Sequence, residues 1–139
     1  MARILAIDFG LKRTGIAVTD PLQIIATGLT TVNTRDLMAF LKTYIAHETV
    51  ELFIIGDPKN LDDSDTHIST NVRHFITALE KEIPSVPIRT VDERFTSKLA
   101  SQAMFQMGLK KKDRRDKKIV DQVAATIMLQ EYLESTTRL

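Results

Sequence analysis

Residues 4–19 read ILAIDFGLKRTGIAVT. An apolar run from Ile4 to Ile7 stops at one carboxylate, Asp8, and a second apolar run starts at Gly15. A strand apolar on both faces reads as central in a sheet, where a terminal charge is costly unless it is paired or used. The turn between the runs carries Gly10, Lys12 and Arg13, which predicts a hairpin of two antiparallel strands.

Working outward from this hairpin, Ile24–Val32 is rich in Ile, Thr and Val and reads as a third strand. Asn33 or Thr34 is placed to cap a helix with apolar residues at Leu37, Phe40, Leu41, Tyr44 and Ile45, a 3–4 spacing. Leu52–Ile55, wholly apolar and ended by Gly56, predicts a central parallel strand. The polar loop DPKNLDDSD then leads to a helix through Val72, Phe75, Ile76 and Leu79, with Pro84 and Pro87 bracketing its exit. Ile88–Val91 reads as a fifth strand, FTSKLASQAMFQM as a third helix ended by Gly108, and Ile119 to about Leu133 as a fourth. The order βββαβαβαα predicts an α/β fold: one domain over residues 1–139, a five-stranded mixed sheet with helices on both faces. Ligands of such sheets gather outside the carboxyl ends of the strands, where Asp8 and Glu93 are expected.

The totals fit that reading. At 139 residues, 43% hydrophobic and 27% charged, the chain has the composition of an ordinary soluble globular domain. It has no apolar stretch near the roughly 20 residues of a spanning helix, and Asp8 interrupts the one N-terminal candidate for a signal core, so a cytoplasmic protein without a membrane partner is expected. The absence of cysteine excludes disulfides, thiolate nucleophiles and Cys-ligated zinc. The net charge of +1 conceals an asymmetry, because Lys110–Lys118, KKKDRRDKK, carries seven basic and two acidic residues, a local +5, leaving −4 for the rest. Such a segment is either a solvated helix entrance or a phosphate-facing surface.

Two further acids accompany Asp8. Glu93 follows the fifth strand within TVDERFTS, and Asp121 lies on the last helix within IVDQVAATIML. At about 100° per residue Asp121 falls among Ala124, Ala125 and Met128, so it points into a packed sector. Each acid has a plainer reading: Asp8 as a turn cap, Glu93 paired with Arg94 or Arg89, Asp121 paired with Lys117 or Lys118. If the three meet instead, each pair at about 4 Å repels by about 4 kcal/mol at an effective dielectric of 20, so the cluster survives by protonation, by Arg or Lys partners, or by binding cations. Oxygen ligands without Cys or a spaced His pair favour Mg²⁺ or Mn²⁺, and two such ions suit phosphodiester hydrolysis. His47, His67 and His74 have no metal-binding spacing.

Three segments, AIDFGLKRTGIAV, VDERFTS with Ala100 downstream, and KKIVDQVAATIML ending in EYL, together resemble the YqgF/RuvX family of pre-16S rRNA nucleases related to Holliday junction resolvases. The resemblance spans essentially the whole chain. It implies an RNase H-like fold and a metal-dependent endonuclease that matures the 5′ end of small-subunit rRNA. By position, the family's acidic triad falls on Asp8, Glu93 and Asp121, which would be both catalytic and metal-binding, with two Mg²⁺ or Mn²⁺ ions. Its basic and glycine positions match Gly10, Lys12, Gly15, Arg94 and Lys118, which would hold phosphates, orient carboxylates or let the substrate approach the backbone. Together with Arg13 and the segment residues Lys110, Lys111, Lys112, Arg114 and Arg115, these basic side chains are the expected nucleic-acid contacts. The loop after the fourth strand departs from the family pattern, since Asp62–Asp65, DDSD, replaces the usual Asp-Gly-Ser or Asp-Gly-Thr turn.

The expected partners are nucleic acid, precursor rRNA first and branched DNA as the alternative, and the ribosome or transcription machinery, with the chain a monomer or weak homodimer. A non-catalytic RNA- or ribosome-binding module of the same fold is the competing class. DFGLKRTG also resembles the first phosphate loop of actin-like ATPases, but the chain lacks the length and the second Asp-x-Gly loop of that fold.

Overall fold

The computed structural model describes residues 2–57, 68–92 and 117–137. Five strands form one sheet: β1 Arg3–Asp8, β2 Arg13–Thr19, β3 Ala26–Asn33, β4 Val50–Asp57 and β5 Ile88–Asp92, in the order β3-β2-β1-β4-β5. β1, β2 and β3 are antiparallel neighbours, whereas β4 and β5 run parallel to β1. The mixed α/β architecture read from the sequence is the one observed. β1 is central, and Ile4 through Ile7 are all buried.

Alternation along the strands gives the sheet two apolar faces. Leu5, Ile7, Ile16, Val18, Phe53 and Ile55 face helices α1, Leu37–His47, and α2, Ser69–Glu82, through Leu37, Leu41, Val72 and Leu79. Ile4, Ala6, Ala17 and Ile54 face helix α3, Lys117–Thr137, through Ala125, Met128, Leu129 and Leu133. Each large aliphatic side chain fully buried in these layers stabilises the fold by about 1.5–3 kcal/mol.

Two local expectations are corrected. β3 begins at Ala26, not Ile24, and Ile24 and Ile25 are 64% and 61% exposed. Their backbone N–H groups, with that of Leu22, donate to the Asp20 carboxylate at 2.7–3.0 Å, which closes a turn where β-propensity predicts strand. These bonds, that from Ile25 foremost, hold the Asp20 pKa below its ordinary 3.8. The helix caps also differ. A 3-10 turn, Thr34–Asp36, precedes α1, and neither Asn33 nor Asp36 makes a side-chain cap bond. The Thr34 hydroxyl is instead engaged by the β1–β2 turn. The expected third helix over residues 95–107 lies outside the described residues, and the last helix starts at Lys117, two residues before the expected start.

Candidate functional site

Asp8 ends β1 on the face of Ile4 and Ala6, the face that α3 covers. Its cross-strand partner on β2 is Gly15, and one step beyond the Ile7–Ile55 pair its neighbour on β4 is Gly56. The carboxylate thus rises from the sheet between two residues that have no side chain. Beyond them in the same row stand Thr31 on β3 and Val91 on β5.

Asp121 reaches this row from the helix. A Cβ placed on Gly15 would collide with the Asp121 backbone carbonyl and would stand 2.9 Å from the Gln122 nitrogen. One placed on Gly28 would meet the Gln122 side chain at 2.8 Å and Thr126 Oγ1 at 3.1 Å. Ala124 and Ala125 are buried at 1% and 0%, so small residues line both sides of the contact. α3 passes from Gly15 towards Gly28 as its numbering rises, so it begins at the carboxyl ends of the parallel strands. Asp8 and Asp121 are therefore both neighbours of one glycine, on one face, beside the helix end whose dipole favours anions. The sequence predicted the small sector around Asp121 but assigned Gly15 to substrate approach. In the structure Gly15 admits the helix backbone.

Arg13, the first residue of β2, shares this face with Gly15 and Ala17. Its Nε stands 3.7 Å from Asp121 Oδ2, with the two side chains 28% and 30% exposed. That separation is ionic contact without a hydrogen bond. The Nε itself is shielded from solvent and has no hydrogen-bond partner. The plainer alternative, Asp121 paired with Lys117 or Lys118, concerns side chains outside the described ones; the contact with Arg13 forms across the fold, where no local spacing points to it.

The turn between the two strands is closed by hydroxyl groups. The Gly10 N–H donates to Thr14 Oγ1 at 3.5 Å, and the Thr34 hydroxyl donates to the Gly10 carbonyl at 2.6 Å. Since the one Thr34 proton is thus committed, Thr14, wholly buried, is the donor across the 2.9 Å contact to Thr34. The ring Gly10–Thr14–Thr34–Gly10 is complete, and the Thr34 N–H adds a 2.9 Å bond to the Lys12 carbonyl. Lys12 and Leu11 are left exposed at its tip, where with Asn33 and Arg35 they line an open cleft of about 300 Å³. The sequence offers Thr34 only as a helix cap and gives no signal for Thr14, since a Thr beside a turn carries no spacing of its own.

At the far edge Arg89 lies over the Tyr132 ring at 5.8 Å, and β4 and β5 end on register partners, Asp57 and Asp92. Phe9 stacks on Phe75 at 5.3 Å on the opposite face, pinning the residue that follows Asp8. Among the described residues no three His, Cys, Asp or Glu side chains are grouped to hold a metal. The third expected acid, Glu93, lies outside them, as do Arg94, Lys110, Lys111, Lys112, Arg114, Arg115 and the Lys118 side chain. His47 and His74 are exposed helix residues.

Comparison with known proteins follows the same outline. The profile of the RuvX family, described as a Holliday junction resolvase, matches residues 2–135. A protein of Phocaeicola vulgatus named "Putative pre-16S rRNA nuclease" is 56% identical over 97% of this chain and 97% of its own length. A protein of the same name from Christiangramia forsetii is 52% identical over 96% of this chain and 98% of its own. Among solved structures, Thermus thermophilus RuvC in complex with a Holliday junction substrate superposes with a TM-score of 0.57. That likeness covers 99% of this chain and 96% of the other at 15% identity, and it shows an RNase H-like fold. By profile and by full-length identity, the chain belongs to the RuvX family.

Proposed function

We propose that this chain is a metal-dependent endonuclease that hydrolyses phosphodiester bonds in structured nucleic acid, with the 5′ end of precursor 16S rRNA as its substrate. The observation that carries the proposal is the meeting of Asp8 and Asp121 around Gly15 at the carboxyl edge of the sheet. The backbones of Asp8 and Asp121 both adjoin Gly15, and Arg13 Nε stands 3.7 Å from the Asp121 carboxylate; we read this as a place built for positive charge. Hard oxygen donors of this kind fit Mg²⁺ or Mn²⁺. Glu93 follows β5 directly and completes the set in our reading, since alternation puts Arg89 and Val91 on the α3 face. Two such ions would polarise the scissile phosphate and lower the pKa of the attacking water.

The rest of the work falls to the chain itself. Asp8 stands between Gly15, where α3 packs, and Gly56, and would present its oxygens to a phosphate on the Gly56 side. Lys12, on its locked turn, meets the nucleic-acid backbone beside the site, and Arg94 with the basic residues of Lys110–Lys118 grips it further along. The active form is a cytoplasmic single-domain monomer or weak homodimer working on the ribosome or transcription machinery. Among the described residues no helix is long and apolar enough to cross a membrane.

The test is cleavage by the pure chain, with Mg²⁺, of a 5′-extended 16S rRNA fragment and of a four-way DNA junction. Cleavage of the RNA that falls more than about a hundredfold in Asp8→Asn and in Asp121→Asn is expected, since losing even an outer-shell partner of a metal costs about 10–100-fold. Full activity in the doubly substituted chain would refute the assignment. Cleavage of the junction alone would favour the second reading, branched-DNA resolution, to which the description of the family profile points.

A further inference from the structure

The Arg13–Asp121 contact is of an unusual kind. The two groups attract, yet the 3.7 Å from Nε to Oδ2 is too long for a hydrogen bond, and the Nε is buried without any other acceptor. The gap cannot close by moving the elements together. Two residues along the same face, Gly15 already touches the Asp121 carbonyl, so strand and helix are at their limit of approach. Nor is the arginine backbone free to slide. It is held by the Arg13–Asn33 strand pair and, one residue earlier, by the Thr34 bond to the Lys12 carbonyl.

We infer that Arg13 is a built-in counter-ion that occupies the cation position beside Asp121 until a divalent ion takes it, and then passes to the phosphate of the substrate. The inference rests on the metal-dependent reading above and goes beyond it, because it assigns Arg13 a role in the metal-free protein. Without metal, the guanidinium offsets the repulsion between Asp121 and Asp8. A divalent ion brings twice the charge and direct coordination, while Arg13 Nε makes none of the short, charge-assisted bonds that make arginine–carboxylate pairs strong. Repelled by the arriving ion, the side chain has a destination at hand. The cleft lined by Leu11, Lys12, Asn33 and Arg35 opens on the adjoining turn, and Asn33 is the cross-strand partner of Arg13. A phosphate seated there would meet Lys12, Arg35 and the released Arg13 together.

The experiment measures Mn²⁺ binding by the free-ion electron paramagnetic resonance signal, in the wild-type chain and in Arg13→Gln. Removing the competing cation should tighten binding about five- to tenfold and lower the melting temperature of the metal-free protein. Equal or weaker binding in Arg13→Gln overturns the inference alone, whereas no binding in either chain overturns the metal-dependent reading with it. A second measurement needs no variant. In the wild type the Arg13 Nε–H resonance should exchange slowly with solvent, being buried, and Mg²⁺ should shift it and speed its exchange. A resonance unchanged at saturating Mg²⁺, with saturation checked by calorimetry, refutes the displacement.

Discussion

Gly15 shows how much one missing side chain can position. No left-handed backbone angle explains this glycine; what requires it is the Asp121 carbonyl lying where a Cβ would be. Gly28, one strand over, meets the same helix through the Gln122 and Thr126 side chains. The two positions therefore predict different outcomes for the same substitution. In Gly15→Ala the obstacle is backbone on both sides, so α3 must lift, at about 3 kcal/mol, the upper end of ordinary overpacking. In Gly28→Ala the Gln122 side chain can turn aside, and the strand regains the roughly 0.5–1 kcal/mol that glycine forfeits, so stability should change by less than about 1 kcal/mol. Urea unfolding of the two variants checks the difference. Loss of Mn²⁺ affinity should accompany only Gly15→Ala, because only there do Asp8 and Asp121 separate.

Elements were legible in the sequence where period and composition agree. The all-apolar runs of β1 and β4, the apolar run of β2 from Gly15, and the helical spacing of apolar residues in α1 and α2 each have one reading, and each element formed, β2 starting two residues earlier at Arg13. The start of β3 was misread, because Asp20 outbids the β-propensity of Ile24 and Ile25 for their backbone donors. Of the candidate site, the position of Asp8 at the end of β1 was legible from the apolar run before it, and the small-residue sector around Asp121 from helical phase. The Arg13 contact and the threonine ring were not, since both join residues far apart in the chain whose partners no local pattern names. The ring makes the β1–β2 turn a rigid part and so carries its own prediction. Thr34→Val removes one hydroxyl and strands two groups, the Gly10 carbonyl and the buried Thr14 hydroxyl. Leaving a buried polar group unsatisfied costs about 1–3 kcal/mol, so chemical unfolding should register a loss in that range. The amide protons of residues 9–13 should lose hydrogen-exchange protection at the same time, while those of β4 keep theirs.

Across the whole chain, charge is divided, and the division bears on how nucleic acid is held. Outside Lys110–Lys118 the sequence carries −4, and it sets that against +5 packed into nine residues. Asp8 and Asp121 contribute to the negative share at the edge where the proposed function would bring a phosphate backbone. A polyanion cannot be drawn to that edge by the domain's average field, which is repulsive, so attraction has to come from a concentrated source. In sequence the basic segment runs into the start of α3, and α3 begins at the carboxyl ends of the parallel strands. If it supplies the phosphate contacts, affinity should fall linearly in log–log form with salt, by about 0.9 per contact on duplex DNA and about 0.7 on single strands. Replacing Lys110, Lys111 and Lys112 by Gln should then reduce the slope by about 2–3, weaken binding equally for unrelated sequences, and leave the melting temperature unaltered. Binding isotherms at four or five salt concentrations, with Ca²⁺ in place of Mg²⁺ and in an Asp8→Asn background to prevent cleavage, measure the slope directly. A slope that does not change would move the phosphate contacts to the Lys12 and Arg35 side of the sheet, and the +5 segment would be a solvated helix entrance after all.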